Sequence, residues 1–246
     1  MKVYNVSFKF KSLNFDVSNS KPEVYTIFGI IRDKDDKIII NLGAPGDEFP
    51  CIMLEYNRIK NEFFVSKLRA QKFGGWKEDD RTICTFPPLP SKGALDILVG
   101  LSLAICKKYV GEVTTYLNDG AMTNDRYPLT WLKFFSSDKV LSSATTYSKY
   151  GFISRTQKLT NASASETQKH FNSILNNVNL YFKKNPNKKK YMLSLFEKRN
   201  VKLYDPEFQD NDLKKIDLRG KWYMNWNSYV PFVEILETGG LGTESS

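Results

Sequence analysis

The chain has little of what most catalytic chemistry and covalent stapling rely on. One histidine, His170, among 246 residues excludes a histidine-rich metal site and argues against a histidine-based catalytic triad. Cysteine is scarce too: Cys51, Cys84 and Cys106 are odd in number, far apart and free of any CxxC spacing. They read as buried reduced thiols of a cytosol-like compartment, not as a disulfide framework. No repeat of fixed period occurs, which excludes solenoids and propellers. No apolar run reaches the roughly 20 residues that a membrane helix needs. The longest, Ala94 to Cys106, is followed at once by Lys107-Lys108 and reads as a core helix. Met1-Lys2-Val3-Tyr4 passes directly into alternating residues without a signal-peptide pattern, so a cytoplasmic protein is expected.

What is present suits a globular core. Hydrophobic residues make up 41% and aromatics 14%, and the formal net charge of +9 favours anionic partners: nucleic acid, an acidic membrane face, a phosphorylated cofactor or acidic protein surfaces. Val6, Phe8 and Phe10 alternate with Ser7, Lys9 and Lys11, predicting one long or two short strands between Val3 and Val17. Val24 to Ile31 and Lys37 to Leu42 flank the polar run Asp33-Lys34-Asp35-Asp36 as a hairpin. Cys51 to Tyr56 and Phe63 to Leu68 repeat that arrangement, so the first third reads as an antiparallel meander with consecutive strands as neighbours. Thr82 to Thr85 reads as one more short strand. Phe86-Pro87-Pro88-Leu89-Pro90 must leave the sheet, because proline has no ladder donor.

Ser91 is placed to cap the apolar helix that Gly111 ends. Val113 to Leu117 then reads as a buried strand closed by Asn118-Asp119-Gly120, and Phe152 to Arg155 as another. Beyond it, Phe171, Ile174, Leu175, Val178 and Tyr181-Phe182 recur at helical spacing over Ser163 to Lys184, opened by Ser163 or Ser165 and ended before Asn185-Pro186. Tyr191 to Lys198 reads as a further helix. Lys183, Lys184, Lys188, Lys189 and Lys190 make a basic cluster, either a solvated face or a site for nucleic acid or an acidic partner. The segment holding Trp222, Tyr223, Trp226 and Tyr229 fits either a helix or irregular chain, and the Gly-rich tail from Thr238 is expected to be flexible or docked on a partner. The fold expected is α+β: a mixed, largely antiparallel sheet with a central helix over residues 1–157, and a helical, basic, aromatic-rich C-terminal appendage over 158–246 that carries a partner-binding surface.

The order of hairpin strands, kink, glycine-containing loop, helix, strand, helical segment and Tyr147-Ser148-Lys149-Tyr150-Gly151-Phe152 resembles the GCN5-related N-acetyltransferases over residues 24–157. It looks most like divergent acetyltransferase-like proteins of large DNA viruses, which implies a host-cytoplasmic or virion setting. The resemblance implies acetyl-CoA as cofactor, its pyrophosphate held by backbone N–H groups at the helix start, here Ser91, Lys92, Gly93 and Ala94. This run keeps one glycine and one basic residue of the family's cradle but not its second glycine. Asn118 matches the family's asparagine near the cofactor. Tyr147 matches the tyrosine that protonates the departing thiolate, although it follows Asn118 by 29 residues instead of about seven. Glu55, or Glu62, stands for the carboxylate that deprotonates the amine. The same frame also serves a non-enzymatic interaction or virion-structural protein, or a nucleic-acid-binding protein using the lysine cluster. No metal is called for under any of these readings.

Overall fold

The computed structural model of the protein describes residues 1–13, 24–43, 50–68, 94–119, 147–154, 161–187 and 220–244. The chain divides into two compact units, residues 1–116 with 231–246, and residues 117–230. The architecture is mixed α/β, with a large and mostly antiparallel sheet.

In the first unit β1 (Lys2–Ser12), β2 (Val24–Asp33), β3 (Lys37–Leu42), β4 (Ile52–Asn57) and β5 (Glu62–Leu68) run as the expected meander. Period-two alternation decides which side is buried. Val6, Phe8 and Phe10 of β1, Ile27 of β2, Leu42 of β3, Ile52 and Leu54 of β4, and Phe63 and Val65 of β5 share one buried face. The turn between β2 and β3 is closed by the Lys34 N–H donating to the Lys37 carbonyl at 2.9 Å. Asn61, at φ 52°, takes the left-handed turn position before β5.

The helix α1 (Ala94–Tyr109) buries Ile97, Leu98, Val99, Leu101, Leu103, Ile105 and Cys106, as its apolar circumference requires. Even its buried hydroxyl is satisfied within the helix, since Ser102 Oγ donates to the Leu98 carbonyl at 2.8 Å. Gly111 stops it at φ +102°, with its N–H returning to the Cys106 carbonyl at 2.9 Å. β6 (Thr114–Asp119) follows and lies beside β5, giving the order β6-β5-β4-β3-β2-β1-β9, in which β9 is Val233–Glu244.

The last strand of that order differs from expectation. The Gly-rich tail is part of β9 (Val233–Glu244), which pairs antiparallel with β1 along nearly its whole length. Hydrophobic content alone did not predict this, because Gly239 and Gly240 lower β propensity while the β1 ladder supplies the pairing.

In the second unit β7 (Phe152–Ser154) pairs antiparallel with β8 (Gly220–Met224), and the helix α2 (Ala164–Lys184) opens with a capping box between Ser163 and Glu166. The segment around Trp222 is therefore a strand, followed by a short 3₁₀ turn over Trp226–Ser228. The helical C-terminal appendage is represented among the described residues by α2 alone. The predicted strand Thr82 to Thr85 and helix Tyr191 to Lys198 lie outside the described residues, as does the segment 120–146.

Candidate functional site

The geometry that bears on chemistry lies along β5 and α1 of the first unit and along β6, whose residues 117–119 belong to the second unit. The β4–β5 register passes from Met53 opposite Lys67 to Leu54 opposite Val65, so Ser66 is an extra residue with no partner in β4. Such a bulge bends its strand and takes one backbone unit out of the ladder, a device common beside binding sites. Across the neighbouring strand pair, Phe64 of β5 stacks on Tyr116 of β6 with ring centroids 4.8 Å apart and planes within 17°. Asn118 follows near the end of β6, and its side chain is exposed.

Glu55 stands in the middle of β4, opposite Ile39 and Phe64. Its carboxylate faces the Lys37 ammonium at 3.4 Å, with both side chains about one third exposed. Glu62 opens β5 opposite Asn57 and is half-buried.

Behind β6, Cys106 Sγ lies 3.4 Å from Thr115 Oγ1. Burial pushes this thiol up to about 12, against the smaller opposing effect of the Thr115 hydrogen bond. Cys106 is thus a neutral core residue and not a nucleophile. Cys51 departs from the reading of three reduced thiols, because it is disulfide-bonded. Spacing could not reveal this, since pairing depends on which loops the sheet brings together. Among the described residues no three His, Cys, Asp or Glu side chains converge as a metal-binding group.

In the second unit Tyr147 sits at the start of a 3₁₀ turn (Ser148–Tyr150) and is only 8% exposed. Its ring lies 5.9 Å from that of Trp222 and 6.5 Å from that of Phe152. The conformation after it is obligatory: Gly151 holds φ +101°, and a Cβ there would come 2.7 Å from the Ser228 carbonyl oxygen. Packing therefore accounts for the Gly-Phe pair of the Tyr-x-x-x-Gly-Phe run.

A polar core residue missed by sequence reading lies close by. Asn225 is fully buried, donating Nδ2 to the Ala162 carbonyl at 2.9 Å and to Thr167 Oγ1 at 3.2 Å, and accepting from the Asn227 N–H at 3.1 Å. Its only sequence signal was an asparagine after an apolar run. It ties the turn after β8 to the start of α2.

The remaining candidates divide. Ala94 is the first residue of α1, while Ser91, Lys92 and Gly93 lie outside the described residues. Lys183 and Lys184 are exposed in the last turn of α2, where positive charge complements the helix carbonyl end. Lys188, Lys189 and Lys190 lie outside the described residues.

No helix among the described residues is long and apolar enough to cross a membrane. Comparison with protein-family models, with curated proteins and with solved structures finds no match.

Proposed function

We propose that the chain is an N-acetyltransferase-like protein that binds acetyl-CoA through its first unit. The observation that carries this reading is the Ser66 bulge in β5, on the strand directly beside β6 and joined to it through the core helix α1. Bulges are common beside binding sites, and this one lies on the strand that precedes α1. The start of α1, with Ser91, Lys92 and Gly93 before Ala94, supplies donors for the pyrophosphate. For Asn118, in the second unit, the resemblance implies a place near the cofactor, and its side chain is exposed. In this reading Glu55, released from Lys37, takes the proton of the amine. For Tyr147, in the second unit, the resemblance implies the role of the acid. The exposed Lys183 and Lys184 serve an acidic acceptor, nucleic acid or protein.

A second reading is favoured by a specific observation. Glu55 is engaged with Lys37, and Tyr147 is packed among Trp222 and Phe152. Both groups that acetyl transfer requires have structural employment, which suits a protein that binds the cofactor or a partner without transfer.

Thermal-shift titration with acetyl-CoA and CoA tests the shared part. At about 100 times the dissociation constant, a ligand that binds only the folded chain adds about 2.7 kcal/mol. Stabilisation together with CoA release in the presence of polyamine and peptide amines supports transfer. Stabilisation with no release supports the second reading, and no shift with either ligand overturns both.

A further inference from the structure

The outer edge of β9 carries a short, regular and self-complementary stretch of backbone. β9 is the terminal strand of its sheet, and residues 236–240 are all exposed. Its register with β1 slips at Leu236 and at Gly242, leaving Glu237 to Leu241 as an unbroken stretch between two bulges. Gly239 is the midpoint of that stretch.

The direction of each backbone group follows from the hydrogen-bond ladder. The Gly43 N–H donates to the Phe28 carbonyl at 2.8 Å, so Phe28 turns toward β3 and its neighbour Ile27 toward β1. Ile27 stands opposite Phe8, so Phe8 turns toward β2 and Ser7 toward β9. The Leu13 N–H, donating to the Phe232 carbonyl at 2.8 Å, has the same parity. Ser7 stands opposite Gly239, so the polar groups of Gly239 meet β1. Those of Thr238 and Gly240 therefore point away from the sheet, and among the described residues no strand receives them.

Among the described residues nothing requires Gly240 to be glycine. A Cβ there would meet nothing within 4 Å, and its φ is not in the left-handed range. Glycine in a strand interior weakens the strand and marks close approach of another backbone. At Gly239 a Cβ would lie 2.6 Å from Ser7 Oγ, a contact that rotation of the serine hydroxyl relieves. Thr238 is held by a hydrogen bond between its hydroxyl and that of Tyr109.

We propose that this edge pairs antiparallel with the same edge of a second copy of the chain, about a two-fold axis at Gly239. An isologous contact must be self-complementary, and the stretch Glu237 to Leu241 is symmetric about its central residue. With the axis there, Thr238 of each copy stands opposite Gly240 of the other. Both residues point outward, so each such pair exchanges two N–H···O bonds, four in all. The Thr238 side chain then faces a glycine, which explains the unfilled space above Gly240. Within the paired stretch the one acidic residue causes no conflict, since Glu237 is matched within its own chain by Lys9 at 3.3 Å. The bulges at either side confine pairing to this stretch and prevent open-ended edge growth. The inference is independent of the acetyltransferase reading.

Sedimentation velocity of the full chain over a wide concentration range tests it, with Gly240→Pro and Gly240→Ala as variants. Proline removes one outward N–H from each copy without touching the β1 ladder, and alanine leaves it in place. The parent chain should show a concentration-dependent dimer. Gly240→Pro should weaken it about thirtyfold, the loss of two hydrogen bonds of ordinary net strength. Gly240→Ala should weaken it less than proline does, because it keeps the outward N–H while its methyl enters the space that the opposing Thr238 side chain takes. Should Gly240→Pro fail to fold, hydrogen exchange on the parent decides: the Thr238 and Gly240 amides gain protection as concentration rises. A monomer at every concentration, a dimer indifferent to proline, or protection of those amides that does not vary with concentration overturns the proposal.

Discussion

Gly100 of α1 lies so close to Phe232 at the entry to β9 that a Cβ on Gly100 would come 2.9 Å from the Phe232 Cβ, and 3.0 Å from Val233 Cγ2. The helix and the last strand of the first unit are thus fitted at backbone distance, though more than a hundred residues separate them in the chain.

Gly100→Ala should therefore destabilise the protein, against the usual gain from alanine in a helix. Overpacking of this kind costs about 1–3 kcal/mol, more than helix propensity returns. Chemical denaturation measures the difference, and a variant as stable as its parent would show that the contact is loose. Truncation after Gln157 removes β9 altogether. The truncated chain should lose cooperative unfolding by circular dichroism, because the β1 edge and the side of α1 at Gly100 are uncovered together.

Leu98 and Leu101 are both fully buried in α1. Their replacement by alanine should cost about 2–5 kcal/mol each, the range for buried leucine. Urea midpoints of the two single variants check this, and values within about 0.5 kcal/mol of the parent at both positions would remove α1 from the core.

Tyr147→Phe keeps the ring against Trp222 and Phe152 and removes only the hydroxyl. If Tyr147 is the acid of a transferase, turnover should fall about 10²–10⁴-fold with little change in melting temperature. The non-catalytic reading expects the reverse, a small stability change and unaltered binding of acetyl-CoA. Steady-state kinetics with calorimetric binding separates the two.

The cysteines should differ in what exposes them to alkylation. Cys106 is a buried thiol raised from 9.0 to about 12, so the contribution of its neutral form is full below the ordinary thiol value and is lost as pH rises from there through about 12. It should be inert to iodoacetamide at neutral pH in the folded chain and react once denaturant is added. Cys51 should stay unmodified in denaturant until a reductant is supplied. Peptide mapping reads both, and alkylation of Cys51 without reductant in freshly isolated protein would return it to the reduced class that its surroundings first suggest.

At the start of α2 the Glu166 carboxylate accepts from the Ser163 N–H and hydroxyl, both at 2.8 Å. Those two bonds hold Glu166 below the ordinary carboxylate range. A lowered folded-state pKa means that the contribution is present above the ordinary value and lost as pH falls through the folded one. Ser163→Ala should cost about 1 kcal/mol at neutral pH, as loss of an N-cap does. The gap in melting temperature between variant and parent should narrow in acid, while a gap that stays constant with pH would show that Glu166 contributes nothing through its charge.

Much of the first unit was legible in the sequence because its signals are local. Val6, Phe8 and Phe10 alternate, Asp33 to Asp36 turn, Ala94 to Cys106 is apolar all round, and each pattern specifies an element without reference to distant chain. Ser163, three residues before Glu166, announced α2 in the same way. The sequence alone thus determined the meander, the core helix and its Gly111 stop. What it could not determine is who pairs with whom. β9 is a strand because β1 offers it a ladder, Ser66 is a bulge because of its register against Met53 and Leu54, and Asn225 is buried because Ala162 and Thr167 come to it. Cys51, Glu55 and Tyr147 follow the same rule: their roles depend on a disulfide, on Lys37 and on Trp222, contacts between residues brought together only by folding. Pairing across long stretches of chain is a property of the closed structure, and there the tertiary fold alone decides.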